Sequence, residues 1–478
     1  MTREGNAVAA ERAARNLVRI TEAMAAAGAT PADGVKPRAA VVSWDLAHNP
    51  VGRAYVLVRL LQADWKVDLI GPMWSRFGTS LWPPLSGAQL QVRSFPATDV
   101  SDYLPKALAA ALQDKYDIVL CSKSRLPGVH LATMIAEWSD APLIVDLDDD
   151  ELTFADHRTS DDFEAARSGM IGQLLDEPAT KLADECLSYF DARTVVSGPL
   201  AARYGGITVR HARNPGPTPG SDRYRTTRAL ARARCGVLTD ELAVLFIGTV
   251  REHKGVQDIV AALSEIGRDD VRLHVFTTTS DREVKSFVDQ RVADADHLYV
   301  THGPCSMDEL GRIMTAADLV VLAQEPDSAI SQYQVPAKIS DATAVGCPVL
   351  VPKMEVFADF ESAGLVHTYL PGELTTKMEA LLARSPSDND RRMLQERFLS
   401  ELGMAVNRAR LDEAISRARA ARSAEPHHAS GPLHEAVNSL YLRKRAATPD
   451  RPQPVVRVDE APPAYDVAFF WKQNDSDI

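Results

Sequence analysis

The segment Val244-Leu-Phe-Ile-Gly-Thr-Val-Arg-Glu-His-Lys-Gly-Val256 carries the combination of groups that a diphosphate requires. Its apolar start reads as a strand, Gly248 opens a turn that lets backbone approach a ligand, and the helix expected from Val256 presents free N–H groups to an anion. Arg251 supplies a planar fork and Lys254 a mobile point charge beside that turn. Taken alone, the segment reads equally well as a solvated basic turn. A second stretch, 317–350, sends a strand into a loop holding Glu325, Asp327 and Ser328, then opens a helix at Pro336 that ends at Gly346. That helix carries Lys338 and Asp341. The Asp341 carboxylate can accept two hydrogen bonds from vicinal ribose hydroxyls, or it can be a surface helix charge.

The first half of the chain offers three further groups. In His48-Asn-Pro-Val-Gly-Arg-Ala54, Gly52 lets a loop come close to phosphate or acceptor, and a helix from Arg53 aims its N-terminus the same way; a plain tight turn is the alternative. The run Cys121-Ser-Lys-Ser-Arg-Leu-Pro-Gly-Val-His130 follows a strand, bringing Lys123 to the mouth of a cleft and making His130 the best-placed histidine of the chain, although a lone histidine near a helix start is more often structural. The acidic run Asp146-Leu-Asp-Asp-Asp-Glu151 could hold a divalent cation bridging a diphosphate. Arg251 and Lys254 already neutralise that charge from a different sheet, so an acceptor-side or hinge role for Asp148 and Asp149, with no metal, is the reading adopted. A solvated helix N-terminus is its alternative.

The elements that position these groups follow from a hydrophobic period switching between short apolar runs and longer helical stretches, which marks parallel sheets flanked by helices. Strands are expected at 39–43, 65–70, 90–94, 118–121, 143–146 and 194–197. After a linker at 214–221 they recur at 244–247, 273–277, 297–302, 319–322, 348–351 and 364–366, with helices at 256–265, 282–293, 307–316 and 336–345. Two doubly wound sheets in tandem enclose a cleft, and ligands of such sheets sit beyond the carboxyl ends of the strands. The expected organisation is a helical extension (1–36, amphipathic over 8–27), a first α/β domain (37–213), a second (214–385), a charged helical segment (386–422), a linker (423–464) and a strand-like tail (465–478). The tail suggests either a docked strand or the start of a further domain.

Composition sets the limits. Across 478 residues, 53 Lys and Arg stand against 65 Asp and Glu, a formal net charge of −12. That balance argues against a nucleic-acid backbone as main partner and leaves small anions, which need only local positive charge. Five scattered cysteines without a Cys-x-x-Cys pair fit a reducing cytosol, and no signal peptide or membrane span is legible.

Taken together and in order, these motifs resemble the retaining glycosyltransferases of the GT-B fold, in the large family that includes sucrose and glycogen synthases. The resemblance covers roughly 37–422. Residues 246–255 match the family's Gly-x-x-x-x-x-Lys-Gly donor-phosphate segment, and 317–348 its donor-sugar and ribose segment. The loop 49–53, the stretch 191–197 and the Asn214-Pro-Gly crossover are similar as well. The resemblance implies a GT-B fold of two Rossmann-like domains and hexosyl transfer from a nucleotide-diphosphate sugar, with retention and no cofactor. It further implies a saccharide or lipid-linked acceptor, surface-glycan synthesis, and a cytoplasmic site of action with peripheral membrane association. Arg251, Lys254 and His130 would be catalytic. Gly52, Gly248, Thr249, Glu325, Asp327, Ser328, Tyr333, Lys338 and Asp341 would bind the donor, and Lys123, Asp148 and Asp149 would face the acceptor. Two positions depart: Tyr333 stands at the family's first Glu, and Thr249 where an Arg is usual, with Arg251 as its stand-in. A non-catalytic GT-B scaffold and a nucleotide-sugar epimerase or hydrolase are the alternatives.

Overall fold

A computed structural model describes residues 36–154, 177–424 and Leu433. The helix expected over 8–27, nearly all of the 423–464 linker and the 465–478 tail lie outside the described residues. The elements below all belong to one unit, Arg38–Ile478.

Two parallel sheets organise the chain. The first contains β1 (Arg38–Ser43), β2 (Lys66–Trp74), β3 (Gln91–Ala97), β4 (Ile118–Ser122), β5 (Leu143–Leu147), β6 (Ala192–Val195) and β7 (Ile207–Thr208), in the order β3-β2-β1-β4-β5-β6-β7. The second contains β8 (Leu242–Ile247), β9 (Val271–Phe276), β10 (Tyr299–His302), β11 (Leu319–Val321), β12 (Val349–Pro352) and β13 (His367–Tyr369), in the order β10-β9-β8-β11-β12-β13. Every residue of β4 and β5 is buried, as strands covered by helices on both faces must be. The strand order reverses between β1 and β4, and again between β8 and β11. Crevices open at such reversals, so the loops after these four strands are where a ligand belongs.

The sequence-based elements shift in informative places. The expected strand at 364–366 lies instead at His367–Tyr369, because Gly364, at φ +65°, closes the helix Ala358–Ser362 and two buried residues follow before pairing begins. The helix expected from Arg53 begins at Val51, which puts Gly52 in its first turn. The helix expected over 336–345 narrows to Lys338–Thr343. Unforeseen are β7 and the helix Asp222–Cys235, capped by the Ser221 hydroxyl, which accepts from the Tyr224 N–H.

The chain crosses between the domains twice. The first crossing, 209–216, is clamped: the Arg53 guanidinium donates to the carbonyls of Val209 (2.8 Å) and Arg210 (3.0 Å), and the Arg210 N–H donates to Asn407 Oδ1 (2.7 Å). The second follows the helix Asp388–Glu401, after which the helix Met404–Ala424 packs on the first domain and Arg408 donates to the Leu60 carbonyl. Arg213 and Gly403 form a parallel bridge, so the two crossings lie side by side.

One glycine is fixed by contact. Gly255 sits at φ +63°, and a Cβ there would lie 2.0 Å from the Ala323 carbonyl oxygen, so the chain just after β11 and the start of the helix Val256–Ile266 can approach only without a side chain. Gly236 has nearly the same φ, +67°, with nothing within 4 Å. Gly236→Ala should therefore cost only the left-handed penalty of about 1–2 kcal/mol, while Gly255→Ala should cost distinctly more in thermal denaturation; equal losses would disprove the close approach.

Candidate active site

The loops after β1, β5, β8 and β11 converge on a cavity of about 290 Å³ walled by both domains. From the first domain come Asn49, Gly52, Arg53, Trp82, Asp148 and Asp149; from the first crossing, His211 and Arg213; from the second domain, Gly248, Thr249, His253, Lys254, Gln334 and Lys338, among others. Gln334 Nε2 donates to Asp149 Oδ1 at 2.9 Å, a direct tie across the cleft.

On the second-domain side, Gly248 at φ +144° turns the chain out of β8, and Lys254 ends a short 3₁₀ turn with its ammonium beside that glycine. Burial, reinforced by the charges of Arg251 and Lys338, lowers the Lys254 ammonium to about 8. A lysine held this way is short of a counter-anion. Arg251 itself is exposed and does not line the cavity. Asp341 is only 4% exposed, so it is no surface helix charge. Its two oxygens take Arg213 Nε (2.5 Å) and Lys338 Nζ (3.1 Å). Burial penalises this carboxylate, yet the two cations outweigh the penalty and hold its pKa below the ordinary range. The expected ribose ligand thus stands behind two cavity-lining cations instead of lining the cavity itself.

On the first-domain side, Lys123 adopts φ +69°, rare outside glycine, and its ammonium reaches Asp148 Oδ1 and Asp149 Oδ2 at 2.5 Å each and Glu151 Oε1 at 3.6 Å. Burial pushes the Asp148 carboxyl up to about 7, against the pull of Lys123, while Lys123 and Gln334 keep Asp149 below the usual range despite its burial. The rest of the acidic run is likewise engaged by cations: Asp146 takes the Arg53 guanidinium through both oxygens (2.7 and 2.8 Å), and Asp150 pairs with Arg203. Among the described residues no cluster of three His, Cys, Asp or Glu could hold a metal ion.

Three expectations need correction. His130 is buried inside the helix Leu126–Ser139, 3.4 Å from the Tyr103 hydroxyl, and lies among the core residues of the first domain, away from the cavity lining. Glu325 and Asp327 are exposed, and with Ser328 they stay outside the cavity lining. Tyr333 also turns away: Arg203 donates to its hydroxyl at 3.3 Å, and Ser197 donates to its carbonyl. The cavity-lining residues that sequence reasoning missed include Arg53, Trp82, His211, Arg213, His253 and Gln334, and for the crossing only the Asn-Pro-Gly after Arg213 signalled that it mattered.

No family model matches the chain, and no curated protein matches it. Solved structures do. HepE of Anabaena, solved with UDP-glucose, is 11% identical, covering 79% of this chain and 99% of its own, with a TM-score of 0.57. A glycosyltransferase from Rickettsia africae is 13% identical over 80% and 99%, with a TM-score of 0.56. The N-terminal domain of trehalose-6-phosphate phosphatase from Candida albicans is 13% identical over 81% and 98%, with a TM-score of 0.52. At these identities the likeness is one of fold. The chain has the GT-B architecture, two Rossmann-like domains facing across a cleft. No described helix is long and apolar enough to cross a membrane.

Proposed function

We propose that this protein is a glycosyltransferase that moves a hexosyl group from a nucleotide-diphosphate sugar to a saccharide or lipid-linked acceptor. The observation that carries the reading is the set of cations, Lys254 foremost, gathered around an interdomain cavity in a chain of net charge −12. A fold shared with HepE, which was solved with UDP-glucose, supports a nucleotide-sugar donor. In this reading the diphosphate lies against Gly248 and Lys254, Thr249 adds a hydroxyl there, and Arg251 attracts the anion from the rim. The bond from the sugar's anomeric carbon to phosphate oxygen breaks, with its electrons passing to the diphosphate. The acceptor oxygen bonds to the same carbon, and its proton passes to the departing phosphate. Asp148 and Asp149, held by the Lys123 ammonium, form the acceptor wall. Retention of configuration, independence of divalent metal, and work in surface-glycan synthesis at the inner face of the membrane complete the proposal.

Calorimetry and thermal denaturation with a panel of nucleotide sugars test it. One member should raise stability by about 2.7 kcal/mol at 100 times its Kd, with EDTA present. Stabilisation that requires Mg²⁺ or Mn²⁺ would return the acidic run to a metal role, and a panel without any binder would end the reading. The placement of Tyr333 and Glu325 outside the cavity favours one second reading, a nucleotide-binding scaffold, since no carboxylate from that loop reaches the donor. Binding with neither transfer nor donor hydrolysis would establish it.

A further inference from the structure

His211 belongs to no expected site, yet it occupies the cavity wall at the first crossing, where it is 8% exposed. No described residue hydrogen-bonds its ring. Its position is fixed by its neighbours: Arg53 holds the carbonyls of Val209 and Arg210, and Arg213 is held by Asp341. The charges that act on it most strongly are all cationic, Arg53 and Lys123 of the first domain, Arg213 of the crossing and Lys338 of the second domain, while the carboxylates Asp148 and Asp149 share the same cavity wall. The ring nitrogens are not sealed off, so this unpartnered imidazole is open to the cavity and can bond whatever enters it.

We propose that His211 is a proton-taking ligand of the diphosphate, neutral in the empty cleft and imidazolium once the anion is bound. This rests on the donor reading above. Burial, then the fields of Arg53, Arg213, Lys123 and Lys338, hold the empty-state imidazole well below its ordinary value. A diphosphate offsets that field, and a nearby anion favours the charged form. One proton then moves from solvent to His211, no bond of the ligand changes, and the imidazolium N–H donates to a phosphate oxygen. The same proton lies ready to stabilise negative charge as the diphosphate departs. At a pH between the two pKa values, binding takes up as much as about one proton and tightens by up to about tenfold per pH unit of acidification. Below the empty-state value, and above the bound-state value, this dependence vanishes.

Three other cavity groups could exchange protons with the ligand: Lys254, lowered to about 8, Asp148, raised to about 7, and His253, which burial and the charges of Lys254 and Arg251 hold below its ordinary value. The experiment must separate them. Calorimetry of the full chain at pH 7 with UDP-glucose, ADP-glucose and GDP-mannose, whose diphosphate diesters do not titrate there, is repeated in buffers of different ionisation enthalpy. The parent should show net proton uptake with whichever donor binds, H253Q should keep most of it, and H211Q should lose it together with about tenfold in affinity. Uptake undiminished in H211Q, or absent from the parent, overturns the assignment while leaving the donor site standing. No binding by any of the three, nor by inorganic pyrophosphate, overturns the assignment and the donor reading alike. If H211Q does not fold, histidine-labelled parent decides by NMR: the His211 ring signal should move from neutral to imidazolium positions on saturation, and an unmoved ring refutes the proposal.

Discussion

Lys254→Met will weaken binding of the preferred nucleotide sugar by roughly 10- to 150-fold, the equivalent of about 1.5–3 kcal/mol for a charge-assisted hydrogen bond. The same substitution in Arg251 should cost no more than about fivefold, because an exposed charge interacts through water and is screened by salt. Lys254→Met should not weaken the fold. Its ammonium is lowered to about 8 from an ordinary value of 10.5, so between those pH values the unfolded chain binds more protons than the folded one, and stability rises with pH. That rise should be visible in the parent between about pH 8 and 10 and missing in the variant. Calorimetry supplies the first measurement and denaturation across pH the second. Equal loss from Arg251 and Lys254, or an unchanged pH profile, would remove Lys254 from the centre of the site.

Arg53→Met should be the most damaging single change to stability. The Arg53 guanidinium is buried and makes four hydrogen bonds, two to Asp146 and one each to the carbonyls of Val209 and Arg210. Without it, Asp146 keeps only the Thr194 hydroxyl at 2.6 Å, and an uncompensated buried carboxylate costs about 3–5 kcal/mol. With about 2–4 °C per kcal/mol for domains of this size, the first domain's transition should fall by about 6–20 °C. The double variant Arg53→Met with Asp146→Leu should regain part of that loss, since replacing both charges removes the orphan. A single variant within 1 kcal/mol of the parent in urea denaturation would show that the pair holds little. Because these hydrogen bonds also set the crossing on which His211 sits, Arg53→Met should reduce nucleotide-sugar affinity even at temperatures where it is folded.

Which parts of the site could be read from the sequence follows from distance along the chain. Gly248 and Lys254 were legible because a strand, a turn and a helix start are contiguous, and the chemistry is written within a dozen residues. Asp148 and Asp149, which line the cavity, were legible for the same reason, since both follow β5 directly; Lys123, after β4, lies outside the lining and meets the cavity only through its ion pairs with them. Pairing was not legible. Arg53 meets Asp146 across 93 residues, Arg213 meets Asp341 across 128, and Gln334 meets Asp149 across 185. Such partners are set by strand order, and hydrophobic periodicity indicates that strands exist without indicating their neighbours. His130 misled for the converse reason: its position after β4 was right, but the helix face on which it falls turns inward, toward Tyr103. Tyr333 misled because a motif carries spacing while the side chain's direction depends on Arg203 and Ser197 of the other domain, and the loop 325–328 misled because its spacing does not reveal that Glu325 and Asp327 face solvent.

The bridge between Arg213 and Gly403 constrains how the cleft can work. A single linker would act as a tether, leaving the domains free to swivel and slide. Two strands pinned together behave as a door hung on paired leaves, with torsion about their common line soft and translation stiff. Any closure about that line should bring the two walls together in one alignment, and the Gln334–Asp149 hydrogen bond is a direct contact that spans them when shut.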